Sequence, residues 1–204
     1  MTVSKPDYVP QWVTKIDVAT RQVRVAVRLH FEETDPVAVY SLVSSAHGIV
    51  SDLGRKMGEV SAIARSVRVA ANFFKHADKD PDARVNVEPL PQITEGLLYD
   101  TVRMLQAAAG QLPFEAQLYW AWYLVKNDDV YESAGPAVTS IIQNNAHLRD
   151  MSFPQIRQLL RFQQALNQSE PLPAWVLLSP GKLPPLQDTI EPVPSIQKSE
   201  VPDS

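Results

Sequence analysis

Apolar residues recur at helical spacing along most of this chain. Val39, Leu42, Val43, Ala46, Ile49, Val50 and Leu53 form one stripe, and Val60, Ile63, Ala64, Val67, Ala71 and Phe74 form a second. Positions three and four apart fall on one side of a helix, so each stripe predicts a helix with one buried face. The first starts at Thr34-Asp35-Pro36. There Asp35 can cap, and Pro36 suits the opening position because its missing N–H would lack a partner anyway. Gly54 predicts where that helix stops. The second runs from about Glu59 to His76, with Ser61, Arg65, Arg68, Asn72 and His76 as its polar edge.

Lys15 to Phe31 carries two patterns at once. Val23, Val25, Val27, Leu29 and Phe31 alternate as in a half-buried strand, whereas Ile16, Ala19, Val23, Ala26 and Val27 share a helical face. The length of the segment, without Gly or Pro, favours a helix. Glu33 to Asp35 then becomes a tight turn between two antiparallel helices.

Asp78 to Gln92 reads as a loop, with Pro81, Pro89 and Pro91. Beyond it, a helix is predicted over Thr94 to Ala109, capped by Thr94 and stopped by Gly110. Another opens at Pro113 and runs through the aromatic-rich stretch to Lys126, and a third runs from Pro136 to about Leu148. Ser152 and Gln155 have the S-x-x-Q form of a capping box, which opens a last helix over Phe153 to Asn167. The expected fold is therefore all-α, a bundle of about six or seven helices over residues 14–168. From Ser169 to Ser204 the periodicity vanishes and eight of the 17 prolines gather. That composition predicts an extended, proline-rich C-terminal tail.

Composition narrows the function classes. Hydrophobic residues make up 45% of the 204 positions and charged residues 21%, as in ordinary globular proteins. The net charge of -4 argues against sequence-independent DNA binding, which needs many phosphate-neutralising cations. With no cysteine, disulfides, thiolate zinc sites and cysteine nucleophiles are excluded together. Met1 to Gln11 has no apolar signal core, and no apolar stretch approaches the ~20 residues of a membrane span. A cytoplasmic protein without membrane or DNA contact is expected.

The candidate chemistry sits in Asn72-Phe73-Phe74-Lys75-His76-Ala77-Asp78-Lys79-Asp80-Pro81-Asp82. His76 titrates near neutrality and could move a proton, Asn72 one turn earlier could orient it, and Lys75 could hold an anion. Equally, His76 and Lys75 could simply complement a helix C-terminus. Asp78-Lys79-Asp80 resembles the start of a calcium loop, but Ala83 and Pro89 occupy the positions where an EF-hand needs Gly and Glu. Asp78 and Asp80 remain weak metal candidates beside His76. His47 shares a face with Tyr40 and reads as a buried, hydrogen-bonded histidine. His30 and His147 read as helix-end cations. The aromatics Phe114, Tyr119, Trp120, Trp122 and Tyr123 read as core rather than as a ligand platform. Phosphate loops, H-E-x-x-H and the G-x-S-x-G elbow are all absent from the sequence, and no cofactor is expected.

On these residues the segment from Val18 to Asp82 resembles a group of uncharacterised bacterial proteins. Ala19-Thr20-Arg21-Gln22, Ala26 to Phe31, Asp35-Pro36-Val37, Ala46-His47 and the Asn72 to Pro81 run carry the resemblance. The two-helix start followed by a polar helix is also similar to HEPN domains. That resemblance implies a four-helix bundle that often dimerises and, in many members, a metal-independent ribonuclease of toxin or phage-defence type. The HEPN motif is an Arg, a polar residue, four to six residues and a His. Here Arg68 precedes His76 by eight positions and is followed by Val69, so the carry-over is His76 as acid–base and Arg68 as phosphate binder.

Three functions follow as expectations. One is an interaction or regulatory module of HEPN-like shape, with a protein partner or a second copy of itself. Another is a ribonuclease using Arg68, Asn72, Lys75 and His76, with RNA as partner only in that case. The third is a metal-binding module using His76, Asp78 and Asp80.

Overall fold

Val25 is 44% exposed while Val23 and Val27 on either side of it are fully buried, so Lys15–Phe31 is a helix and the strand-like alternation is incidental. The computed structural model describes residues 12–56, 72–74, 82, 84–131 and 135–167. Among these, seven α-helices follow in order: α1 (Lys15–Phe31), α2 (Pro36–Lys56), α3 (Leu90–Ala109), α4 (Phe114–Lys126), the single turn α5 (Asp128–Tyr131), α6 (Pro136–Asn144) and α7 (Phe153–Asn167). A 3₁₀ turn, Ala146–Arg149, joins the last two. The described residues form an all-α bundle with no strand, as expected.

Local chemistry sets the helix ends. Thr14 and Asp17 form a reciprocal capping box at the start of α1, with Asp17 accepting from the Thr14 backbone N–H at 2.8 Å. That bond is the main reason the Asp17 carboxyl titrates below its usual range. The end of α1 is a Schellman turn: the Glu33 N–H donates to the His30 carbonyl and the Thr34 N–H to the Leu29 carbonyl, with Glu33 at φ 54°. Asp35 then caps α2 as expected, accepting from the Val37 N–H at 2.7 Å. At the start of α7, Gln155 accepts from the Ser152 backbone N–H at 2.8 Å, one arm of the expected capping box.

Three boundaries differ from the sequence reading. Gly54 does not stop α2; it is buried within the helix, which continues to Lys56. Thr94 is not a cap, because α3 begins one turn earlier at Leu90 with Pro91 in its first turn, where a missing N–H costs nothing. The Thr94 hydroxyl instead donates to the Leu90 carbonyl at 2.6 Å inside the helix. The helix opened by Pro136 ends at Asn144 rather than near Leu148. There Asn145 turns both its backbone and side-chain N–H groups onto the Ile141 carbonyl, and a 3₁₀ turn takes over. Gly110 does end α3, at φ 73°.

α2 packs against both α1 and α3, α4 lies across α1 and α3, and α7 rests on α1. Phe31, Tyr40, Leu97, Leu98, Leu105, Tyr119, Trp120 and Leu124 are buried in one continuous core. The α4 aromatics belong to that core and form no open platform. Of the predicted helix from Glu59 to His76, only 72–74 are described, and they are helical. The predicted tail from 169 onward lies outside the described residues.

Candidate functional site

Asn72 is exposed, while Phe73 and Phe74 are half-buried beside it. The Phe74 ring packs edge-on against Tyr40 of α2, with centroids 5.7 Å apart. The start of the candidate run is thus anchored to the core with its amide facing water. Arg68, Lys75, His76, Asp78 and Asp80 lie outside the described residues.

The described bundle contains a polar cluster of which the sequence reading identifies only the histidine. His47 of α2 is buried, and its Nε2–H donates to Oδ2 of Asp100 on α3 at 3.0 Å. The opposite oxygen of Asp100 accepts from Nε and Nη2 of Arg103, both at 3.2 Å. Asp100 is fully buried and Arg103 is 5% exposed. Burying an ionised carboxylate is costly unless it is paired, and here an imidazole and a guanidinium share that role. Asp100 and Arg103 stand among Leu97, Leu98, Tyr99, Val102, Met104 and Leu105. Two opposite charges at (i, i+3) inside an otherwise apolar stretch are a legible sign of a buried pair.

Ser51, one turn after His47, completes a set that resembles a Ser-His-Asp triad. Its Oγ stands 3.4 Å from both ring nitrogens, so it lies beside the ring edge and in line with neither. A nucleophile and its base need about 2.6–3.2 Å. With the acid fully buried as well, the set has the geometry of a structural network.

His30 is not a helix-end cation. Its half-buried side chain packs against Phe31, Tyr119, Trp122 and Phe153, with centroids 5.1 to 5.6 Å away, and its Nε2 is buried without a partner. Burial, aided by the nearby Lys126 ammonium, lowers its pKa to about 4, so the ring is neutral at physiological pH. His147 is exposed in the 3₁₀ turn and lies beyond α6, which ends at Asn144, so it does not end that helix.

A second buried carboxylate, Glu115 in the first turn of α4, ties that helix to α1. It accepts from Arg24 Nε at 3.1 Å through both oxygens and from Arg28 Nη2 at 2.5 Å. Arg24 and Arg28 share one face of α1 four residues apart. The partners are 87 and 91 residues away in the chain, so spacing gives no hint of the pairing.

Among the described residues, two concavities are of note. One, of about 450 Å³, runs between the start of α1 and the end of α2, lined by Val18, Ser44, Ile49, Asp52, Leu53 and Lys56 among others. The other, of about 180 Å³, lies between α1 and α7 and is lined by Arg28, Glu32, Arg157, Leu160, Arg161 and Gln164. Among the described residues no three His, Asp or Glu side chains converge as metal ligands, and no helix is long and apolar enough to cross a membrane. Compared with protein-family models, curated proteins and solved structures, the chain has no significant match.

Proposed function

We propose that this chain is a cytoplasmic interaction or regulatory module of HEPN-like shape, without catalysis, acting through a protein partner or a second copy of itself. The observation that supports it is the use the bundle makes of its acid–base groups. His47, Asp100 and Arg103 are sealed in the core and bonded to one another, and His30 packs against aromatic rings. Groups locked in this way hold helices in register and offer no proton to a substrate.

Exposed Asn72 favours a second reading. The Phe74–Tyr40 contact turns that amide outward, as the entry to a ribonuclease site would require. There His76 would move the proton, and Lys75 and Arg68 would stabilise the phosphorane. One experiment separates the two. Purified wild type and His76→Ala are incubated with total RNA, and both are followed by light scattering over a range of concentrations and with purified candidate partners. The interaction reading expects intact RNA in both cases and the same dimer or stoichiometric complex from both proteins. RNA cleavage by wild type that His76→Ala abolishes would overturn it in favour of the ribonuclease.

A further inference from the structure

We propose that the cleft between α1 and α7 binds a tetrahedral phosphate-type oxyanion, either free phosphate or the phosphoryl group of a small phosphomonoester. Three arginines line it, Arg28 on α1 and Arg157 and Arg161 on α7. One of the three carries donors that no described residue uses. Arg161 is exposed and has no hydrogen-bond or ion-pair partner among the described residues. The Nε–H of Arg28 is buried without an acceptor, although its Nη2 holds Glu115. That N–H is closed off from solvent, so Arg28 adds charge to the cleft wall rather than a donor to the ligand.

Arg157 already serves the fold. Its Nη1 donates to the Phe31 carbonyl at 2.8 Å and stands 3.7 Å from the Glu33 carboxylate. It thereby offsets the partial negative charge at the end of α1. That structural role accounts for Arg157 but not for Arg161. Leu160 supplies an apolar wall, and Gln164 adds an amide.

Size and shape select the ligand. A volume of about 180 Å³ is smaller than the ~300 Å³ at which sites for whole drug-sized ligands begin, so it suits one charged group. Arg157 and Arg161 stand on α7 and Arg28 on α1, so positive charge faces the cleft from two helices. A tetrahedral anion offers acceptors in several directions, whereas a carboxylate offers only two in one plane and suits a single guanidinium fork. Glu32 opposes any anion here and acts as a brake on affinity.

The test is calorimetric titration of the whole chain with inorganic phosphate and, separately, with glycerol phosphate, against sodium chloride at matched ionic strength. Saturable binding of either phosphate is expected. Arg161→Gln should weaken it about ten-fold or more, the effect of losing a hydrogen bond to a charged group. Glu32→Gln should tighten it several-fold. Both side chains are exposed, so the ligand-free melting temperature should stay within a few degrees of wild type. Equal phosphate affinity in wild type and Arg161→Gln, or a response no different from chloride, would overturn the proposal.

Discussion

His47 and Asp100 meet at 3.0 Å across the α2–α3 contact, with 2% and 0% of their surfaces exposed. The pair is a polar bolt through an apolar core. Removing His47 takes one donor from the buried carboxylate, while Arg103 still pairs its other oxygen. His47→Ala should therefore destabilise the fold by about 1–3 kcal/mol. Replacing His47, Asp100 and Arg103 together by Leu, Leu and Met should recover most of that loss, because no buried charge remains. Urea midpoints of the wild type and the two variants check this. A triple variant no more stable than His47→Ala would mean that packing, not charge, governs the site.

Glu33 holds a conformation that side chains with a Cβ avoid. At φ 54° it is the one non-glycine residue with positive φ among the described residues, and it fills the turn position that glycine usually takes. Glu33→Gly should stabilise the protein by about 0.5–1 kcal/mol, since relief of the left-handed strain exceeds the added chain entropy. Its carboxylate is 67% exposed and 3.7 Å from Arg157, so losing that ion pair costs little. Thermal melts read the difference. The reverse change at Gly110, Gly110→Ala at φ 73°, should lower stability by about 1 kcal/mol.

Periodicity makes the helices legible, because a burial pattern three and four residues apart survives whatever the helix packs against. In Lys15–Phe31 periodicity alone leaves strand and helix open and length favours the helix, where Val25 faces water while Ala26 and Val27 are buried. Thr14-x-x-Asp17 has the spacing of a capping box too, a start signal that the stripe-based reading of this helix passes over. What spacing does not encode is pairing between distant elements. Nothing in the first helix names Glu115 as the partner of Arg24 and Arg28, and nothing near His47 names Asp100. Of the candidate run, Asn72 faces water as its polar-edge position requires, and Phe74 faces the core as its stripe requires. Arg157 and Arg161 carry no signal, since arginines on a helix usually mark a solvated face.

His30 makes stability depend on acidity. In the unfolded chain it takes up its proton near pH 6.5, and in the folded protein only at about 4. Between these values the unfolded state holds more protons. The contribution of the neutral ring is thus fully present above 6.5 and is lost as pH falls through 4, at up to about 1.4 kcal/mol per pH unit. His30→Phe keeps an aromatic ring in the box and removes the titration. Denaturation midpoints measured from pH 7 to 4 should fall more steeply for wild type than for His30→Phe. Parallel slopes would show that His30 is not the titrating group.

Glu115 is where α4 is fastened to α1, and its two arginines are not equivalent. Arg24 is 40% exposed and reaches both oxygens through one nitrogen, whereas Arg28 makes the shorter contact with a side chain 30% exposed. Water screens the first pair more than the second. Glu115→Gln keeps the shape but drops the charge, leaving two guanidinium groups facing a neutral amide. It should cost about 2 kcal/mol, the scale of a hydrogen bond between charged groups. Arg28→Gln should cost more than Arg24→Gln, because Glu115 itself is only 7% exposed and depends on the better-buried partner. If the two arginine variants melt together, Glu115 is held by its helix and not by the bridge, and α4 would keep its place on α1 through His30 and Phe31 packed on Tyr119 and Trp122.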